Sequence, residues 1–184
     1  SIANLNVNWI VLVDNQGQIV IQKNYDIEND QAVDVSVGLQ DYILQHPALF
    51  NHLSDVSSLA GIVEIDGRAA ILASRPIVTI QFAGPIEGSL LVGRYLDSTT
   101  LALIMPTHVL GLDYQSMINP PADSRYVEMY TTLLKNNSMV VKPLNQHTLE
   151  AFAVQKDIFG AASFVFRLTT EREIYQHVMK NLSV

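Results

Sequence analysis

The stretch Gly61–Asp97, GIVEIDGRAAILASRPIVTIQFAGPIEGSLLVGRYLD, is the part of the sequence from which the rest can be interpreted. It holds three apolar, β-branched runs, which are Gly61–Ile65, Ala69–Ile80 and Gly88–Leu96. Asp66-Gly67 separates the first two and predicts a tight hairpin, because a two-residue turn between twisted strands needs positive φ angles. Glycines and a proline at residues 84–88 mark the next connection. We therefore predict three consecutive antiparallel strands in the middle of a sheet.

A hairpin and a helix are predicted upstream of this stretch. The runs Trp9–Val13 and Gln18–Gln22 flank a polar turn that ends at Gly17, and Asn24–Asp30 is a polar connection. A helical face then follows, carried by Val35, Leu39, Tyr42 and Ile43. Pro47 restricts the residue before it, so the helix is expected to end near His46.

The predicted order is therefore strand, strand, helix, strand, strand, strand. Two hairpins around a helix give a five-stranded antiparallel sheet with helices on one face, which is an α+β arrangement. PAS-like and Cache-like sensor domains share this order, an analogy at the level of the fold. We interpret residues 1–97 as a sensor core and residues 98–184 as a C-terminal α/β extension of the same sensor domain.

The second half is predicted to mix short helices and strands. Ser98 or Thr99 is expected to cap a helix that ends at Pro106, and Thr170-x-x-Glu173 is a capping-box pattern before a terminal helix. Strands are predicted over Thr107–Gln115, Met139–Pro143, Thr148–Gln155 and Ala162–Leu168, and a helix with an apolar face over Tyr126, Tyr130, Leu133 and Leu134. The sequence leaves open whether this half forms a smaller lobe or extends the first sheet.

Composition and motifs exclude several classes of function. The net charge is −7 without a basic stripe, which argues against nucleic-acid binding because phosphate neutralisation supplies most of that affinity. The chain has no cysteine, so disulfides and thiolate sites are absent. Its five histidines lack metal-site spacing, and it contains no P-loop or nucleophile elbow. We predict no catalytic residue, no metal and no cofactor.

Two arginines are the strongest candidates for ligand binding. Arg75 is in phase with Ile71 and Ala73 on its strand, and Arg94 is in phase with Leu90 and Val92, so each shares a face with aliphatic side chains. One interpretation is a pocket whose guanidinium groups hold a carboxylate or phosphate. The alternative is a structural ion pair or an arginine stem that covers apolar surface.

Three side chains with polar tips extend this candidate site. Tyr42 and His46 end the predicted helix, and Tyr95 follows Arg94. Such side chains often orient ligands, although core residues with satisfied polar atoms are the alternative. Asp157 and Arg167 are expected to pair structurally across the last hairpin.

Three blocks of residues, spread over most of the chain, carry a resemblance to a known family. The opening block is Trp9–Val13 with Asp14-x-x-Gly17 and Ile19-Val20. The central block is Ser58–Ile62, Ala73-Ser74-x-Pro76-Ile77 and Gly84-Pro85-x-x-Gly88-x-Leu90-x-x-Gly93-Arg94. The closing block is Asp157-Ile158-x-Gly160, Phe166-Arg167 and Arg172-x-Ile174-Tyr175. In order and spacing these blocks resemble the fourth-type CHASE domain, a sensor module of histidine kinases and cyclic-di-GMP enzymes.

The resemblance implies an extracytoplasmic, periplasmic domain of an inner-membrane receptor, flanked by transmembrane helices that this piece lacks. It also implies a homodimer in the full-length receptor. The apolar stripe Ile174–Leu182 then leads toward the membrane, and it packs either on its own domain or on a second copy. We expect a small, anionic ligand between the sheet and the Val35–His46 helix. The alternative is a protein-interaction module without a small-molecule site.

Overall fold

A computed structural model describes residues 5–34, 36–78, 85–105, 109–118, 124–136 and 139–172. It divides the chain into two compact units, unit 1 over Ser1–Leu96 and unit 2 over Asp97–Val184. The fold is α+β, and every paired strand in both units is antiparallel. None of the helices in the described ranges has the length and apolar content needed to span a bilayer.

Unit 1 is a six-stranded sheet with the strand order β3-β2-β1-β6-β5-β4. Its strands are β1 (Trp9–Val13), β2 (Ile19–Asp26), β3 (Gln31–Val33), β4 (Leu59–Ile65), β5 (Arg68–Ile77) and β6 (Gly88–Tyr95). Helix α1 (Val37–Gln45) and a 3-10 turn (Pro47–Leu49) lie in the chain between β3 and β4. The sheet thus has one strand more than the sequence predicts, because β3 forms between the predicted connection and the predicted helix, over residues to which we assigned no element.

The central stretch forms its hairpin as predicted but does not lie wholly in the middle of the sheet. Asp66 and Gly67 both have positive φ angles, 53° and 72°, and join β4 to β5. The prediction that all three strands lie in the middle of the sheet is wrong for β4, which is an edge strand, because β1 and β6 are the central pair.

One face of the unit 1 sheet carries the core. Trp9, Val11 and Val13 alternate along β1 and are fully buried, in register with Gly93, Leu91 and Ser89 of β6. Helix α1 and the 3-10 turn cover this face with Leu39, Ile43 and Leu49, which have no exposed surface. Helix α1 begins after Ser36, whose side chain accepts a hydrogen bond from the Leu39 N–H, and it ends at His46 as predicted. Val35 lies outside the described residues.

Unit 2 contains a separate four-stranded sheet with the order β7-β10-β9-β8. Its strands are β7 (Val109–Ser116), β8 (Val140–Pro143), β9 (Thr148–Lys156) and β10 (Ala162–Glu171). Helix α3 (Ser124–Asn136) packs on this sheet and forms a second core from Tyr126, Met129, Leu133, Phe152 and Val165. This half therefore does not extend the first sheet.

Two helix caps differ from the sequence predictions. Helix α2 (Ser98–Ile104) is capped by Asp97, whose carboxylate accepts a hydrogen bond of 2.7 Å from the Thr100 N–H, and not by Ser98 or Thr99. Thr170 lies within β10 and so does not cap a helix. The stripe predicted over Ile174–Leu182 lies outside the described residues.

Candidate functional site

Arg75 and Arg94 lie on the face of the unit 1 sheet opposite the core. In the register of β5 and β6, Arg94 is opposite Ile71, and Arg75 is opposite Leu90. The two arginines therefore share a face, as predicted, but four residue positions separate them along the strands, roughly 14 Å at 3.4 Å per residue. Side chains stand nearly perpendicular to a sheet, so the two guanidinium groups do not converge on one small anion.

The two arginines also differ in their surroundings. The Arg94 Nη1 donates a hydrogen bond of 3.2 Å to the Asn6 carbonyl oxygen. Arg75 is exposed, and its partner position on β6 is the half-buried Leu90.

Tyr42 and His46 lie on the other side of the sheet, on helix α1 and its C-terminus. Their rings stack with centroids 4.2 Å apart, and the His46 Nδ1 lies 2.7 Å from the Tyr42 carbonyl oxygen. Since α1 covers the core face, these two side chains are separated from the two arginines by the sheet itself. The two arginines therefore do not share a pocket with Tyr42 and His46, and a ligand site between the sheet and the helix stays a prediction.

Tyr95 lies at the end of β6, in phase with Gly93 and Leu91 on the core face. The guanidinium carbon of Arg68 lies 4.0 Å from the centroid of its ring, a cation–π contact. Burial, and then the charge of Asp66, raise the pKa of the Tyr95 hydroxyl, against the lowering effect of Arg68. The structure thus gives Tyr95 a packing partner, and whether any of the five predicted residues binds a ligand stays a prediction.

Arg167 anchors a charged cluster in unit 2 that the sequence did not reveal. Its Nη2 lies 2.5 Å from the Asp113 Oδ2, and its Nη1 lies 3.4 Å from the Glu150 Oε1. The hydrogen bond to Asp113 raises the pKa of the guanidinium further. The predicted pair with Asp157 is wrong, since that carboxylate accepts hydrogen bonds from the Phe159 and Ala161 N–H groups of its own turn.

A concave apolar site lies in unit 2, between the C-terminal half of α3 and strands β9 and β10. Its volume is about 170 Å³, and it is lined by Leu133, Leu134, Met139, Ala153, Val154, Lys156 and Ala162. Lys156 is exposed and is the one charged side chain in this lining. The sequence signal for it was a lysine at the end of β9, in phase with the apolar Phe152 and Val154. We call this site the α3 cavity.

The sequence analysis also did not predict a buried series of hydrogen-bonded polar side chains in unit 1. The hydroxyl of Ser74, which has no exposed surface, donates a hydrogen bond of 2.5 Å to the Leu49 carbonyl oxygen and lies 2.9 Å from the His52 Nε2. Because Ser74 is inaccessible, it cannot act as a nucleophile on an external substrate. No group of three or more histidine or acidic side chains within the described ranges is placed to hold a metal ion.

Comparison with known proteins supports the resemblance noted in the sequence. The sequence model of the CHASE4 domain matches residues 1–114, more than half of the 184 residues. A similar relative is the methanogenesis regulatory histidine kinase FilI of Methanothrix harundinacea (strain 6Ac), 24% identical over 174 residues. That match covers 95% of this chain but 19% of the kinase.

Two solved structures share the fold at low sequence identity. One is the extracellular domain of the histidine kinase vpHK1S-Z8, with a TM-score of 0.54, 14% identity, and coverage of 96% of this chain and 73% of that chain. The other is a domain of a sensory box/GGDEF family protein from Vibrio parahaemolyticus, with a TM-score of 0.53, 14% identity, and coverage of 95% and 76%. Because the family match covers all of unit 1 and continues into unit 2, the chain belongs to the CHASE4 family of extracytoplasmic sensory domains, and its role is sensory and not enzymatic.

Proposed function

We propose that this chain is the periplasmic input domain of an inner-membrane receptor, and that it binds a small anionic ligand directly. A histidine kinase output is favoured by the similarity to FilI, and a cyclic-di-GMP enzyme by the similarity to the GGDEF family protein. Because the chain spans about a fifth of FilI, the output domain belongs to the proposal.

The observation that supports direct ligand binding is the α3 cavity. Cavities of ~150 Å³ lined by aliphatic side chains admit benzene, so a cavity of about 170 Å³ suits a ligand body of roughly six to eight non-hydrogen atoms. The lining is apolar except for Lys156, whose ammonium group can pair with one carboxylate at the mouth. The ligand class is therefore a short-chain or aromatic monocarboxylate.

Transmission requires that the ligand bind one arrangement of the domain better than another, since equal affinity for both shifts nothing. We propose that the shift passes through β10, which contributes Ala162 to the cavity, and the C-terminal segment that follows it into the membrane. In this proposal two copies of the receptor pair as a homodimer, and the dimer transmits the conformational change across the membrane.

Three ligands with the same six-carbon body test this proposal in a thermal-shift titration: hexanoate, hexanol and hexylamine. Hexanoate at ten times its dissociation constant should add about 1.4 kcal/mol to the free energy of unfolding. For a chain of this size, that raises the melting temperature by roughly 3–5 °C. We expect hexanoate to stabilise most and hexylamine least. Lys156→Met should remove the preference for hexanoate over hexanol.

Lys142→Met is the matched control, because Lys142 lies on β8, is half exposed and pairs only loosely with Glu128 at 3.8 Å. It should leave the preference for hexanoate unchanged. Equal stabilisation by all three ligands, or none, would remove the α3 cavity from the proposal. Arg94→Ala and Arg75→Ala then test the arginine site predicted from the sequence. A folded variant whose response to anionic metabolites is unchanged would exclude the substituted arginine from ligand binding.

A second candidate function is a periplasmic protein-interaction module without a small-molecule site. It is favoured by Leu53 and Val56, which are 100% and 83% exposed in the loop before β4. Neighbouring exposed apolar side chains favour an interaction site when they form part of a larger apolar patch. Under this alternative, Leu53→Ser with Val56→Ser abolishes signalling in the full-length receptor while Lys156→Met does not.

A further inference from the structure

The loop that follows the 3-10 turn of unit 1 is fastened to the core by side chains that the proposed function does not use. We call residues Asn51–Ser58 the His52 loop. The Ser74 and Ser89 hydroxyls donate hydrogen bonds to the Leu49 and Phe50 carbonyl oxygens at the start of this loop, at 2.5 and 3.1 Å. Within it, the imidazole of His52 bridges two serine hydroxyls.

The contacts of His52 are consistent with a proton on Nε2 in both charge states. A serine hydroxyl has a single hydrogen, and the Ser74 hydroxyl, which has no exposed surface, directs it at the Leu49 carbonyl oxygen at 2.5 Å. With that hydrogen engaged, Ser74 accepts a hydrogen bond from the His52 Nε2 at 2.9 Å, and this is the tautomer on which the inference rests. It follows that Nδ1 is the nitrogen that gains or loses a proton with pH.

The partner of Nδ1 can serve both states. The Ser57 Oγ lies 2.9 Å from the His52 Nδ1 and 2.6 Å from the Ser54 carbonyl oxygen. When Nδ1 is bare, the Ser57 hydroxyl donates to it. When Nδ1 is protonated, it donates to the Ser57 Oγ, and the hydroxyl turns to the Ser54 carbonyl oxygen. The Ser57 N–H bonds to that same carbonyl at 3.1 Å in the backbone turn.

We infer that the Nδ1 of His52 is a proton-binding site through which unit 1 senses acid, and that the Ser57 hydroxyl reports its state to the His52 loop. Protonation reverses the hydrogen bond between Nδ1 and Ser57, and it turns the Ser57 hydroxyl from the imidazole to the Ser54 carbonyl oxygen. That turn carries Val56, and Leu53 precedes it, so the acid-sensitive element is the one that exposes two apolar side chains.

The surroundings make this site respond on the acid side of the usual range. Burial lowers the pKa of His52 below the ordinary value of 6.5, and no charged group in the described ranges contributes to that shift. Titratable groups on the neighbouring segments are His46, Asp14, Asp55, Arg75 and Glu87. Asp55 and Glu87 are exposed, and Arg75 lies on the opposite face of the sheet from Ser74.

The sign of the effect on stability follows from that direction. The folded-state pKa is lowered relative to the unfolded chain, so the contribution of neutral His52 is present above about pH 6.5 and is lost as the pH falls through the folded value. Acid therefore lowers the stability of unit 1, because the partly buried imidazole must carry a charge.

An NMR titration of the uniformly ¹⁵N-labelled chain between pH 4.5 and 8 tests the inference. Long-range imidazole spectra should show Nε2 protonated at every pH and Nδ1 titrating with a midpoint below 6.5. The amide signals of residues 54–57 should shift with the same midpoint. A proton on Nδ1 and none on Nε2 at pH 8, or loop amides that do not follow His52, would overturn it.

Two serine variants separate a switch from a merely structural contact. Ser57→Ala should leave His52 titrating while the loop amides lose their dependence on it. Ser54→Ala is the matched control, because it removes a hydroxyl from the same turn but keeps the carbonyl that accepts from Ser57, so the coupling should persist. Coupling that survives Ser57→Ala contradicts the inference, and the wild-type titration decides it if either variant fails to fold.

Discussion

At the scale of single residues, the contact between Trp9 and Gly93 controls the core of unit 1. The two residues are opposite each other on β1 and β6, and a Cβ built on Gly93 would lie 1.8 Å from the Trp9 Cζ2. The Trp9 indole nitrogen is buried and has no hydrogen-bond partner among the described residues, so packing holds this ring in place. The absence of a side chain at position 93 is what lets the ring lie on the sheet.

We therefore expect Gly93→Ala to destabilise unit 1 by about 1–3 kcal/mol or more, because the tryptophan must leave its position in a closely packed core. Urea unfolding followed by tryptophan fluorescence measures this, since Trp9 is the single tryptophan. Gly111→Ala on β7 is the matched control, because its Cβ meets no atom within 4 Å and its φ is not positive. Equal loss of stability in both variants would contradict the assignment.

The arginines of unit 1 show how far sequence reasoning reaches at this scale. Strand alternation correctly placed Arg75 with Ile71 and Ala73 on one face. Ala70, Leu72 and Ser74 on the other face are equally small or apolar, so the pattern could not tell which face meets the helix. The sequence could not predict the partner of Arg167 for another reason. Asp113 lies 54 residues away along the chain, and only the pairing of β7 with β10 brings the two side chains together.

At the scale of elements, the N-terminus of α1 is defined by one serine with two contacts. The Ser36 Oγ accepts a hydrogen bond of 3.0 Å from the Leu39 N–H, and the same hydroxyl donates a short hydrogen bond to the Asp66 carboxylate in the β4–β5 turn. The cap therefore also ties the helix to the hairpin at the edge of the sheet.

Replacing this cap tests both contacts. Ser36→Ala should lower the free energy of unfolding by about 1 kcal/mol. Ser36→Asn, which caps equally well without charge, should cost less than Ser36→Asp, which places a second carboxylate against Asp66. The like charges raise the folded-state carboxyl pKa values, so Ser36→Asp should regain stability as the pH falls toward 4. Chemical unfolding at pH 7 and pH 4 checks this, and an Asp variant as stable as the Asn variant at pH 7 would contradict the Asp66 contact.

The elements missed or shifted by sequence reasoning share a physical cause. All three residues of β3 are exposed, so the strand has no alternation of apolar and polar residues, and only its hydrogen bonds to β2 define it. Thr170 is held in β10 by pairing with Leu149, which overrides its local capping pattern. Asp97, Ser98 and Thr99 are all capable caps, and local sequence alone did not choose among them.

At the scale of the whole molecule, the chain has two cores that are built by different means. Unit 1 buries alternate residues of β1, β5 and β6 under α1, whereas unit 2 buries one face of α3 against Phe152 and Val165. The CHASE4 match extends through unit 1 to residue 114, and the α3 cavity lies in the part of the chain after it. The family resemblance therefore supports the sensory role without describing the cavity that we propose for the ligand.

Because each unit has its own core, a large-to-small substitution in one core should leave the local stability of the other unit unchanged. Phe152→Ala removes the aromatic ring that packs edge-on against Tyr126, with centroids 6.1 Å apart, and should cost about 3–5 kcal/mol in unit 2. Hydrogen exchange should then lose protection across β7 to β10 while the amides of β1 and β6 keep theirs. Leu72→Ala is the reciprocal variant and should lower protection in unit 1 alone. Protection lost equally across both sheets in either variant would mean that the two cores unfold as one cooperative unit, and ligand binding at the α3 cavity would then stabilise unit 1 as well.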